Sequence, residues 1–230
     1  MFFNIGTGEN TLNPINPIPP RLTSFYLEYL QHHDVSQFID RTVRYYTQPT
    51  LFRLTTSTQV ETRRAVALIL GFVGTYQANH ALGKLLTDED RSVRLLAENS
   101  LKNIWPRDGS EKQRHDLYEI MRLISQQHFE EAVRCANILL EEFPLFAEAR
   151  NQRAIALFAL GSFQDAIEDS SIVLDLNPYH FGAAIGMGHA YLQLKNHEQA
   201  IIWFQHALKI NPNLESVRRH LERLRHQFNK

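Results

Sequence analysis

The sequence predicts an all-α protein built from two arrays of paired helices. Two observations carry this. Between Gln113 and Leu214 one pattern is laid down three times, with Ala132, Ala166 and Ala200 at one register position and Pro144, Pro178 and Pro212 at another, each 34 residues from the next. Between Thr50 and Trp105 a second pattern returns after 31 residues: Leu51, Leu54, Arg63, Leu70 and Val73 recur as Leu82, Leu85, Arg94, Leu101 and Ile104. Fixed periods of this size mark stacked helix pairs, because each pair leaves an apolar face that only a neighbouring pair can cover.

Residues 1–20 carry Pro14, Pro17, Pro19 and Pro20, which disfavour helix and predict an extended arm. Helices begin near Leu22, with Phe25, Tyr26, Leu27 and Leu30 expected on the apolar side. Asp34 with Gln37 reads as a capping box before a helix carrying Val35, Phe38, Ile39, Val43 and Tyr46. Pro49 suits the first position of the next helix. Pro106-Arg-Asp-Gly-Ser110 interrupts the periodicity and divides the chain into an arm (1–20), a first helical region (21–108) and a second (109–230). So short a break predicts that the two regions abut. Ser110 and Gln113 form a second capping box. The segment 215–228 has Val217, Leu221, Leu224 and Phe228 on one face and Arg218, Arg219, Arg223 and Arg225 elsewhere, the form of a helix that closes a repeat stack.

Copy by copy, the 34-residue pattern reads Ile120, Leu123, Phe129-Glu-Glu-Ala132, Leu139, Pro144; then Ala154, Leu157, Phe163-Gln-Asp-Ala166, Val173, Pro178; then Gly188, Tyr191, His197-Glu-Gln-Ala200, Ala207, Pro212. Small residues let two helices cross closely, Gly161 has the place of a helix-ending glycine, and each proline stops the second helix of its pair. This resembles the tetratricopeptide-repeat family over about half the chain. The first copy departs from it, with Ile120 at the small-residue position. The segment Leu85-Leu-Thr-Asp-Glu-Asp-Arg-Ser-Val-Arg94, an acidic turn before a Val-Arg helix start, resembles a HEAT repeat, with Asp90 as the cap. Together the resemblances imply a right-handed α-α superhelix: HEAT-like helix pairs, three tetratricopeptide motifs and a capping helix.

The chain has 24 basic and 25 acidic residues, a net charge of −1, which gives no electrostatic support to nucleic-acid binding. No apolar run reaches the length of a membrane helix, and the Met1-Phe-Phe-Asn-Ile start lacks the basic and apolar regions of a secretory signal. The single cysteine, Cys135, fits a reducing cytoplasm and reads as a packing residue. Gly186-Met-Gly188 lies in a helix with no strand before it, and Gly6-Thr-Gly8 lacks the Lys of a phosphate loop. The eleven histidines include no His-Glu-x-x-His pair. His180, in an inter-repeat turn after Pro178, is expected at the surface. No catalytic residue, metal site or cofactor is therefore expected.

In the tetratricopeptide family the first helix of each pair lines a concave groove. Carried over by position, this resemblance implies a peptide-binding surface of Tyr118 and Met121 from the first copy, with Arg114 and Leu117 beside them. The second copy gives Asn151, Gln152, Ile155 and Phe158; the third gives Ile185, His189 and Leu192, with Gln193. Some members clamp a C-terminal carboxylate with lysines and asparagines. Only Asn151 matches here, which argues against that specificity. The expected function is a non-enzymatic scaffold or adaptor for a protein or peptide partner. The alternatives are an accessory to an enzyme, such as bilin-lyase-like proteins with HEAT repeats, and a homo-oligomerising module.

Overall fold

The structure, a computed structural model, describes residues 20–228, with side chains as far as His226; residues 1–19 of the expected arm and the Phe228 side chain lie outside that description. Thirteen α-helices and two 3-10 turns make up the described residues, without strands. The N-terminal helices are α1 (Arg21–His32), α2 (Val35–Tyr45), α3 (Gln48–Leu54), α4 (Val60–Val73), α5 (Asn79–Leu85) and α6 (Arg91–Ile104). Then come α7 (Glu111–Ser125), α8 (Phe129–Glu142), α9 (Ala147–Ala159), α10 (Phe163–Leu176), α11 (Phe181–Gln193), α12 (His197–Ile210) and α13 (Glu215–Phe228). The protein is all-α, and its paired helices form an α-α superhelix.

Both periods reappear as helix boundaries. α5 and α6 repeat the bounds of α3 and α4 after 31 residues, and α10 and α12 repeat those of α8 after 34 and again after 34. The turn chemistry repeats as well. Gln127, Gly161 and Lys195 occupy equivalent places and all three have positive φ, 63°, 83° and 59°. Only the second copy uses the glycine that this left-handed conformation favours.

Local signals set the helix starts. Asp34 and Asp90 accept the backbone N–H of Gln37 and Val93, and Ser110 with Gln113 forms a reciprocal capping box. Arg64 hydrogen-bonds Asp90 and, with the Val93 N–H, holds that carboxyl down to about 2. Pro49 occupies the second rather than the first position of α3.

The apolar faces of the first two helices are narrower than the sequence suggests. Leu27, Leu30 and Val43 are exposed, whereas Leu22, Phe25, Tyr26 and Phe38 form the core there. Thr23 and Thr42 take buried places because each hydroxyl finds a partner, Thr62 Oγ1 at 2.8 Å and the Phe38 carbonyl at 2.7 Å.

Arg63 and Arg94 do equivalent work. Each guanidinium donates through Nη1 to the two carbonyls of the turn before its own helix, Ser57 and Thr58 for Arg63, Asp88 and Glu89 for Arg94. Arg63 then reaches forward to the Asp88 carboxylate of the next unit at 2.7 Å, and Arg94 reaches forward to Asn213 Oδ1 at 2.9 Å. The Asn211–Asn213 turn of the C-terminal repeats thus receives from α6 what the acidic turn receives from α4.

That substitution is how the two regions join. Asn79 donates to Asn177 Oδ1 at 2.9 Å, and Asn211 donates to Glu98 Oε2 at 2.9 Å. Tyr179 Oη and His80 Nδ1 are hydrogen-bonded at 3.0 Å. A Cβ on Gly83 would lie 2.3 Å from the Tyr179 ring, so only glycine permits this approach. Trp105, buried after α6, stacks on His180 with centroids 4.2 Å apart and packs against Phe181. His180 is therefore not at the surface as its place in a turn suggested; it is 2% exposed because Trp105 covers it.

Candidate functional site

In the C-terminal region α9 and α11 lie side by side over α10. Their first helices carry small residues at the crossing points: Ala154, Ala183 and Gly186 face Ala166 and Ser170. Small side chains leave a gap that larger neighbours do not fill, and a cavity of about 210 Å³ opens there. Ile155 and Phe158 form its apolar wall, while Asn151, Ser170 and His189 supply its polar atoms. The Phe158 ring is held edge-on against Phe163, centroids 5.3 Å apart, which fixes that wall.

Four of the nine sequence-chosen residues meet at this cavity: Asn151, Ile155, Phe158 and His189. The other five do not line it. Gln152 is buried and donates to Glu148 Oε1 at 2.7 Å. Met121 packs into the first repeat's core and Leu192 into the last repeat's core. Ile185 packs against both the Phe181 cluster and the last repeat. Tyr118 is exposed on α7. Of their neighbours, Leu117 is fully buried core, and Arg114 is tied to the Gly109 carbonyl at 2.7 Å.

Glu148, which sequence reasoning passed over, and His180, which it placed at the surface, stand directly behind the cavity wall. Glu148, in the first turn of α9, is buried and accepts from Asn151 Nδ2 at 3.1 Å through Oε1. His180 holds the other oxygen, Oε2, at 3.2 Å. A Glu in a helix's first turn is so common a capping feature that only its burial marks it out.

At the far end of α11, His189 packs edge-on against Phe204 (5.1 Å) and lies 5.7 Å from His220 of α13. Burial first, then the neighbouring His220, holds the His189 imidazole below its ordinary range; burial, then Arg223, does the same to His220. Both rings therefore bind fewer protons folded than unfolded. Their stabilisation is complete above the ordinary value of 6.5 and is lost as pH falls through the lower folded values. The expected result is a melting temperature that drops from neutrality to about pH 5, with a flatter slope in the His189→Gln, His220→Gln variant. An unchanged slope in that variant would place the protons elsewhere.

Among the described residues no group of three or more His, Cys, Asp or Glu side chains could hold a metal ion. No helix there is long and apolar enough to cross a membrane. Cys135 is half-buried against the first repeat's core.

Comparison with known proteins agrees with the repeat geometry. Residues 119–180 and 183–214 each match a model of the tetratricopeptide repeat. The C-terminal half carries tetratricopeptide repeats. Among solved structures, the first tetratricopeptide domain of Spaghetti (RPAP3), bound to the HSP90 peptide SRMEEVD, is 22% identical, with 53% of this chain and 97% of that chain covered at a TM-score of 0.50. The TPR2AB-domain:pHSP90 complex of yeast Sti1 is 15% identical over 91% of this chain and 98% of that one, TM-score 0.47. MamA AMB-1 is 17% identical over 83% and 98%, TM-score 0.41. At 22% identity the likeness to the Spaghetti domain concerns the fold alone.

Proposed function

We propose that this chain is a non-enzymatic scaffold or adaptor whose tetratricopeptide repeats hold a segment of a partner protein between α9 and α11. The cavity carries this reading: an apolar recess with a few polar atoms, lined by first helices of adjacent repeats, suits an apolar anchor of a helix or extended segment. The first tetratricopeptide domain of Spaghetti, which shares the fold, is seen with a peptide bound. The helix pairs α3–α4 and α5–α6 are read as HEAT-like, forming a region of their own that braces the repeats, and the cytoplasm is the compartment proposed.

Ile155 provides the test, because it is exposed at the rim of the cavity and its replacement leaves the core intact. Ile155→Asp is expected to fold normally and to weaken binding to the partner, captured with the full chain, by at least about tenfold, equal to about 1.4 kcal/mol. Calorimetric titration with an unchanged affinity would remove the groove from consideration.

Self-association is the second reading, favoured by the exposed Leu27, Leu30, Val43 and Tyr45 of α1 and α2. Light scattering on the purified chain separates it from a monomeric adaptor. The enzyme-accessory alternative gains nothing from the N-terminal helices, whose interior is closed by Leu51, Val66, Ile69, Leu70, Leu82 and Leu101.

A further inference from the structure

The buried Glu148 decides which way the cavity's amide points. Its Oε1 accepts from Asn151 Nδ2 (3.1 Å) and Gln152 Nε2 (2.7 Å). Its Oε2 faces His180 Nε2 at 3.2 Å. His180 Nδ1 accepts the Ala183 N–H at 3.0 Å, so the proton of the neutral ring sits on Nε2 and is donated to Glu148. The carboxylate thus receives three donors and has none to give. An ionised carboxylate only accepts hydrogen bonds, so Asn151 must turn its NH₂ toward Glu148 and its carbonyl oxygen away. Asn151 Oδ1 accepts no hydrogen bond from any described residue, and Asn151 borders the cavity.

None of the lining residues is Lys or Arg. The nearest arginines in sequence, Arg150 and Arg153 of α9, are both bound to the buried Asp169, at 3.1 and 2.6 Å. A carboxylate entering the cavity would meet an acceptor oxygen with a like charge behind it and no cation to offset either. A peptide N–H would meet an unused acceptor in Asn151 Oδ1.

From this we infer that the groove is a donor-selecting site: Glu148, acting through Asn151, specifies an uncharged internal stretch of a partner protein. That stretch presents a backbone N–H beside an apolar side chain, and the site discriminates against a chain-terminal carboxylate. This rests on the groove reading above and adds the chemistry of the occupant. Asn151 would touch that occupant; Glu148 is a positioning residue.

Two small probes with the same side chain separate the possibilities. Isotope-labelled full-length protein is titrated near neutral pH with N-acetyl-phenylalaninamide and, in parallel, with N-acetyl-phenylalanine, whose carboxylate is free. The amide probe is expected to shift the resonances of Gly182, Gly186 and the Asn151 side chain, and to bind at least about tenfold more tightly than the acid. Glu148→Gln is expected to bring the two affinities to within about threefold, and Asn151→Leu, which leaves the Glu148–His180 contact in place, to weaken the amide probe by at least about threefold. Equal or tighter binding of the acid by the wild-type chain overturns the donor-selecting site while leaving the groove in place. Unchanged discrimination in a folded Glu148→Gln chain overturns the role of Glu148, and unchanged amide affinity in Asn151→Leu overturns that of Asn151. If neither probe moves these resonances, the groove reading fails along with the inference.

Discussion

Replacing Trp105 by alanine is expected to destabilise the protein by about 3–5 kcal/mol, the range for truncating a large buried aromatic. Trp105 stacks on His180 at 4.2 Å and touches Phe181 at 5.2 Å, both from the C-terminal repeats. Its Nε1–H donates to Asn79 Oδ1 at 2.8 Å, and Asn79 in turn donates to Asn177 at 2.9 Å. Alanine would leave a cavity at the junction and an unpaired buried acceptor. Trp105→Phe, which keeps the ring but not the N–H, should cost less, about 1–3 kcal/mol. Urea unfolding followed by helical signal measures both. A Trp105→Ala midpoint equal to that of wild type would mean that the regions do not depend on this contact. A transition split in two would mean that Trp105 makes them unfold as one.

Asp88→Ala is expected to cost about 3 kcal/mol, the low end for breaking a buried ion pair. Asp88 binds Arg63 through both oxygens, at 2.7 and 3.0 Å, with each side chain 8% exposed. Removing the carboxylate strands a buried guanidinium. The loss stays at the low end because Glu89, itself exposed, holds Arg63 Nη2 at 3.2 Å. The Arg63→Ala, Asp88→Ala double variant should be less destabilised than the sum of the single ones, since neither charge is then left alone. A single Asp88→Ala variant within about 0.5 kcal/mol of wild type would show the pair to be energetically idle.

The repeats were legible because their stabilising contacts run between neighbours in sequence. Ala132, Ala166 and Ala200 recur because each pair meets the next in the same way, and the bounds of α3 to α6 and of α8 to α12 follow the 31- and 34-residue periods residue for residue, with α7 starting two residues early. Asp34, Asp90 and Ser110 were readable as caps because a cap acts over three residues. Asn151, Ile155, Phe158 and His189 could be placed at one surface because a repeat register carries a face with it.

Contacts without a period could only come from the tertiary structure. Asn79 meets Asn177 across 98 residues, Glu98 meets Asn211 across 113, and Arg94 meets Asn213 across 119, each pairing side chains that look like ordinary turn or surface residues. That is why His180 reads as exposed in the sequence and is buried in the fold. It is also why Ile185 and Leu192 leave the cavity for packing that their own helix does not specify, whereas Gln152 is turned away by Glu148, one turn earlier on the same helix. The sequence by itself determined the helix class and the two periods, because those follow from local geometry and nearest-neighbour burial. The tertiary structure alone decided that the N-terminal helices lock onto the repeat turns and that a buried carboxylate stands behind Asn151, because both depend on which long-range partner satisfies a buried polar group.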